Sequence, residues 1–172
     1  MVSAVKVKTS RSRPIIFSGA MVRAILAGEK TQTRRILHPK IADKPCPYGV
    51  IGDTLWVRET FCKVGEELVY KASVPKDFTN PGCWQPSIFM PREACRLELK
   101  IIDTWVEPLN SICEEDAIAE GIIQLDNGRH FVDGINATKA SGAFEMLWER
   151  INGAGSWGKN PNVWVIEFEV IQ

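Results

Sequence analysis

Two long alternating runs constrain this chain more than any other feature. "CRLELKIIDTWVEPL" sends Leu97, Leu99 and Ile101 one way and Arg96, Glu98 and Lys100 the other. "VWVIEFEVI", near the C-terminus, places Trp164, Ile166, Phe168 and Val170 on one side. Shorter strands are predicted in "TQTRRIL", "TLWVRETF" and "ELVYKAS". Helices are few. One lies in "RPIIFSGAMVRAILAGEK", capped by Ser18, striped by Met21, Val22, Ile25 and Leu26, and stopped at Gly28. "SICEEDAIAEG" is a second, with capping-box spacing between Ser111 and Glu114 and a stop at Gly121. "KASGAFEMLWERI" is a third, with Phe144, Leu147, Trp148 and Ile151 facing inward. Strands and helices do not alternate regularly, which argues against a doubly wound parallel sheet. The expected class is α+β: a small, mostly antiparallel, partly open β-barrel with about three short helices.

At 172 residues the chain suits one domain and buries enough surface, roughly 70% of the unfolded total, to fold without staples. Residues 1–13 read as a basic, flexible lead, and 14–172 as the domain. Two excursions interrupt it, one near 73–91 with four prolines and one near 123–140 with a turn at Asn127–Gly128. Lys plus Arg equals Asp plus Glu at 21 each, so bulk charge does not drive nucleic-acid binding. A basic cluster in the first quarter still leaves room for a local patch. The five cysteines are an odd count without close pairs, and there are only two histidines. No metal-site spacing appears, so neither metal nor cofactor is expected. The cysteines read as reduced thiols of a cytoplasmic protein. No apolar run approaches a signal peptide or a membrane span, so no membrane partner is expected.

The candidate chemistry centres on "GEKTQTRR", residues 28–35. Ordinary roles are open to each polar residue. Lys30 suits a helix C-terminus, Thr33 and Arg35 a solvated strand face, Asp53 a turn before a strand, and Glu120 an exposed last helical turn. By strand parity Thr33 and Arg35 share a face, with Gln32 and Arg34 on the other. Lys30 joins Thr33 only if the chain bends near residues 30–31. Trp148 and Trp164 read as core. Trp84 and Trp157 lie in Pro/Gly-rich loops and are stacking candidates, with Arg92 and Arg96 beside the first excursion as phosphate contacts.

"GEKTQTRR" matches G-x-K-x-x-T-x-R, the motif of the ASCH (activating signal cointegrator homology) family in the PUA-like superfamily, with Gly28, Lys30, Thr33 and Arg35 on the fixed positions. The preceding apolar helix, "IGDTLWV", "EEDAIAEGI" and "VWVIEFEV" follow the family order, so the resemblance spans roughly residues 14–171. It looks closest to stand-alone phage and prophage ASCH proteins, through "GDTLWVRETF" and "WQPSIFMPREACR". The resemblance implies a β-barrel with a cleft beside the motif and binding of RNA or a modified nucleoside. It further implies amide hydrolysis of N4-acetylcytidine, with Lys30, Thr33 and Glu120 as the catalytic set and Arg35, Gly28, Asp53, Trp84 and Arg92 as substrate contacts. Alternatives are a non-catalytic RNA-binding module, a ribonuclease, or a protein-interaction domain whose partner engages the two excursions. Hydrolysis needs Lys30 to act as a base, which requires a lowered pKa; tight pairing with Glu120 acts against that.

Overall fold

The computed structural model describes residues 10–75 and 82–172. Ten strands and three α-helices make an α+β fold among these residues. The main sheet contains β1 (Ser12–Ile16), β2 (Gln32–Ile36), β3 (Thr54–Arg58), β6 (Glu98–Pro108) and β10 (Asn162–Val170), in the order β1-β3-β6-β10-β2. Only β1 and β3 run parallel; the other neighbours are antiparallel. A hairpin of β4 (Phe61–Val64) and β5 (Glu67–Tyr70) follows β3. The segment 123–140 holds a small antiparallel sheet of β7 (Ile123–Gln124), β8 (His130–Val132) and β9 (Ile135–Ala137).

The ladder does not close into a barrel: β1 and β2 are its two edges. It nevertheless curls. Arg35 on β2 donates from Nη2 to the Ile16 carbonyl at the end of β1 at 2.7 Å, so the two edges approach each other. The partly open barrel expected from the sequence is thus an open, curled sheet whose seam is crossed by a side chain. Helix α1 (Gly19–Leu26) packs Val22 and Ile25 into the concave core with Leu55, Leu99, Ile166 and Phe168. The other face of β10 packs Val163 and Val165 against α3 (Ala140–Asn152), whose Phe144, Leu147 and Trp148 are buried. Each such side chain contributes about 1.5–3 kcal/mol on burial, which anchors α3 beside β2. β10 is therefore buried on both faces over Val163–Ile166.

Several local expectations change. Residues 1–9 of the expected flexible lead lie outside the described residues, while Ser12 and Arg13 belong to β1. Pro14 is tolerated because β1 is an edge strand. Helix α2 (Glu114–Ala119) is capped by Cys113, not Ser111, and Glu114 turns away from a capping box. Its carboxylate instead accepts from the amides of Ala140 and Ser141, capping α3. Ile151 is 57% exposed rather than inward-facing. The cysteines are not all free thiols either. Cys62 and Cys83 form a disulfide, their Cα atoms 5.6 Å apart, inside the usual window for such a bond. A twenty-one-residue separation hid the pair from a reading based on spacing. With the Phe61–Gln85 bridge, it fastens the described end of the first excursion to β4. No helix among the described residues is long and apolar enough to cross a membrane.

Candidate functional site

The bend required at Lys30 is present. Gly28 adopts φ +75° after the helix, and the amides of Glu29 and Lys30 both donate to the Ala24 carbonyl. The next amide, Thr31, donates to the Ala119 carbonyl at 2.8 Å, and Lys30 pairs with Glu120 as an isolated antiparallel bridge. The ends of α1 and α2 are thereby clamped together before β2 begins. Gly121 makes this approach possible. It has φ +93°, and a Cβ there would lie 3.0 Å from the Ala24 Cβ and 3.1 Å from the Lys30 Cβ.

Lys30 is 1% exposed, and its ammonium has three acceptors for three hydrogens. Nζ donates to Glu120 Oε2 at 2.6 Å, to the Glu120 carbonyl at 2.8 Å and to the Gln32 carbonyl at 2.8 Å. Burial pulls the Lys30 pKa below the ordinary lysine value; Glu120 opposes this, and the nearby Arg35 and Arg34 add to it.

The other carboxylate oxygen of Glu120 faces Arg34 Nη1 at 3.4 Å. Arg34 also binds Glu107 Oε1 through Nε (3.0 Å) and Nη2 (2.8 Å), and Asp116 Oδ2 at 3.2 Å. Trp105 Nε1 donates to the second Glu107 oxygen at 3.0 Å. Lys30, Arg34 and Arg35 thus stand against Glu107, Asp116 and Glu120. Arg35 has no carboxylate within ion-pair distance among the described residues; its guanidinium lies 5.1 Å over the Phe17 ring.

A cavity of about 80 Å³ opens beside this network, its wall including Thr33, Arg35, Glu120, Met21, Phe144 and Trp148. The structure therefore brings Thr33, Arg35 and Glu120 together at one cleft, with Lys30 immediately behind Glu120. The Thr33 side chain is buried, and its hydroxyl makes no hydrogen bond to Lys30 or Glu120 among the described residues.

The remaining candidates lie elsewhere. Gly28 shapes the backbone before the cleft. Asp53 is buried and accepts from the amides of Arg11 and Val50, joining the start of β1 to the turn before β3. Arg92 pairs with Glu98 and lies 5.5 Å over the Trp56 ring. Trp84 is half-buried in the segment fastened to β4. None of these four lines the cavity. Three groups of the network escaped sequence reasoning: Arg34, Asp116 and Glu107. Parity placed Arg34 with Gln32 on the face opposite Thr33 and Arg35, and that face is covered by α2 and α3. Asp116 and Glu120 lie four apart on one helical side, and such like-charge neighbours call for a cation. That spacing was the available signal. Among the described residues, no cluster of His, Cys, Asp and Glu is placed to hold a metal.

No family model matches the sequence, and no curated protein matches it. Solved structures do. One is an ASCH domain from Lactobacillus crispatus, at 12% identity and TM-score 0.45, covering 93% of this chain and 79% of that one. Another is protein EF3133 from Enterococcus faecalis V583, of family DUF984, at 11% identity and TM-score 0.50, covering 95% of this chain and 82% of that one. At such identity the likeness shows the fold: over nearly its whole length, this chain has the α+β architecture of EF3133.

Proposed function

We propose that the chain is an ASCH domain of PUA-like type that recognises RNA or a modified nucleoside in this cleft and hydrolyses the N4-acyl amide of acetylated cytidine. The observation that carries the reading is the buried Lys30–Glu120 pair at the wall that holds Thr33. The pair can share a proton without losing a hydrogen bond. As ammonium and carboxylate it makes the three bonds described. With the proton moved across the 2.6 Å contact, the Glu120 carboxyl donates to the Nζ lone pair. The two remaining N–H bonds still serve the Gln32 and Glu120 carbonyls. The lowered lysine pKa favours such a transfer.

The reading assigns each residue a role. Thr33 Oγ attacks the acyl carbon and gives its proton to the pair. Glu120, which lines the cleft, returns a proton to the departing cytosine amine. Water then releases the acyl group from Thr33. Lys30 serves as proton reservoir behind Glu120, and Arg35 stabilises the developing oxyanion. A cavity of about 80 Å³ is well below the few hundred Å³ typical of a whole small-molecule site. It suits the acyl amide and one base edge, with the sugar left at the mouth where an RNA strand can continue.

Incubation with N4-acetylcytidine, followed by chromatography, tests this. Cytidine release by the wild type, lost in Thr33→Ala, is the expected result. Saturable binding without product would leave a recognition domain and remove the hydrolase.

A further inference from the structure

Four consecutive residues of β2, Thr33, Arg34, Arg35 and Ile36, line the cavity. Successive side chains of a strand point to opposite faces, so one face cannot present all four. The cavity therefore lies off the edge of the strand. Its other walls agree. Met21 reaches it from α1, on the concave side of the sheet, and Leu147 and Ile151 reach it from α3, on the other side. Met21 also packs against both core clusters, as a side chain reaching around the end of a sheet does.

The main chain at that edge has a definite direction. β2 is the last strand of its sheet and pairs with β10 alone. The pairing engages odd-numbered residues: Phe168 N–H donates to the Thr31 carbonyl, and Leu37 N–H to the Asn162 carbonyl, both at 2.9 Å. In an antiparallel ladder the residues between these turn their N–H and C=O groups the opposite way. Gln32 does so, since its carbonyl accepts from Lys30 Nζ. Arg34 and Ile36 follow in the same phase. Their main-chain N–H and C=O groups face away from β10 and have no hydrogen-bond partner among the described residues. The end of α2 covers this edge at its start, where Thr31 N–H donates to the Ala119 carbonyl and Lys30 bridges to Glu120. At Arg34 and Ile36 the edge gives onto the cavity instead.

The order of these groups selects the ligand. The Arg34 carbonyl, an acceptor, is followed along the edge by the Ile36 N–H, a donor. An inorganic anion such as phosphate brings acceptor oxygens and would set one against the carbonyl. An extended peptide could match the order, but about 80 Å³ does not house a strand, and α2 closes one end of the edge. A planar base that carries a donor beside an acceptor matches both the order and the space. Bonded to the edge, it lies in the plane of the sheet, with the apolar side chains of α3 beside one of its faces.

We propose that the open edge of β2 reads the base: the Arg34 carbonyl accepts from an exocyclic N–H of the ligand, and the Ile36 N–H donates to the adjacent ring nitrogen. The N4–H and N3 of a cytosine have this pattern. The proposal rests on reading the cleft as a nucleoside site, and it assigns specificity to main-chain atoms that no side-chain motif records.

The test follows the Ile36 amide proton and the Arg34 carbonyl carbon of ¹⁵N,¹³C-labelled protein by NMR. Five probes are titrated separately: N4-acetylcytidine, cytidine, the cytidine analogue with hydrogen in place of the 4-amino group, inorganic phosphate, and a blocked pentapeptide of alternating Val and Thr. Both cytidines should shift the two signals saturably and leave the Thr33 and Arg35 amides, held by β10, in place. The analogue, lacking the donor, should bind about three- to tenfold more weakly than cytidine, the usual effect of losing one hydrogen bond. Ile36→Pro removes the edge N–H at a position where an edge strand tolerates proline, and should weaken binding by a similar factor relative to Ile36→Ala, which keeps it. Should that variant not fold, the wild-type shifts and the analogue still decide. If N4-acetylcytidine is hydrolysed while neither signal moves, the edge assignment is overturned and the function stands. If cytidine moves both signals but N4-acetylcytidine is not hydrolysed, the assignment stands and the hydrolase falls. Equal binding of cytidine and its analogue, or a response to phosphate alone, to the peptide alone or to no probe, overturns the assignment.

Discussion

Among the described residues two glutamates are buried, Glu59 and Glu120, and Glu120 lines the cleft. Glu59 is 1% exposed and Glu120 is 4% exposed. Glu59 is gripped by Arg96, through Nε at 2.7 Å and Nη2 at 3.0 Å. That guanidinium stacks 4.1 Å from the Tyr70 ring, and the Glu59 amide meets the Met90 sulfur. Glu120 divides its oxygens between Lys30 and Arg34 and faces the cavity. The difference lies in the partner. Arginine does not give up its proton in proteins, whereas a desolvated lysine can. Burial of a carboxylate therefore does not mark a site. A lysine partner at hydrogen-bond distance and an open wall beside it are what set Glu120 apart.

The largest effect that would sharpen this contrast is on turnover. Glu120→Gln should lower N4-acetylcytidine hydrolysis by about 10²–10⁴-fold, the usual range for a general acid–base group. Glu59→Gln, assayed where both variants remain folded, should leave the rate unchanged. Equal losses would break the comparison. Next comes stability. Lys30→Ala should cost about 3–5 kcal/mol in chemical denaturation, because it strands Glu120 away from water. The Lys30→Met/Glu120→Gln double variant should recover much of that cost, since it removes both charges. Arg96→Ala should cost a comparable amount, because Glu59 is 1% exposed and loses both of its arginine hydrogen bonds.

Gly121→Ala should follow, at about 1–3 kcal/mol, from the left-handed backbone and the contacts with Ala24 and Lys30. It should also reduce activity by displacing Lys30. The smallest effect is on pH dependence. The Lys30 pKa is lowered on folding, so in the window between its folded value and 10.5 the unfolded chain binds more protons. Stability should therefore rise with pH across that window. The wild type should gain on the Lys30→Met/Glu120→Gln variant as pH is raised, and the opposite slope would show that Glu120 outweighs desolvation.

Much of the frame was legible in the sequence because it rests on local periodicity. Leu97, Leu99 and Ile101 announced β6, and Ser18 and Gly28 bracketed α1. What escaped depends on distant pairing. Ser12–Ile16 contains Pro14 and becomes a strand only by lying parallel to β3. Cys62 meets Cys83, twenty-one residues away in sequence, only in the folded chain. At the site, the motif picked out Lys30, Thr33 and Arg35, and the family resemblance of the helix "DAIAEGI" picked out Glu120. Arg34 was hidden because parity tells which side of a strand a residue takes, not what covers that side.

The bond from Arg35 to the Ile16 carbonyl has a meaning beyond ligand recognition. Strands at the margin of a sheet invite pairing with other molecules, and folded chains guard them. Here the guard is a residue of the motif itself, spanning the gap between β1 and β2. A lineage that abandoned the chemistry of the cleft would still be under pressure to keep this arginine, because losing it would unlatch the seam and expose two adhesive margins at once. Retention of Arg35 in such a descendant would record solubility rather than activity.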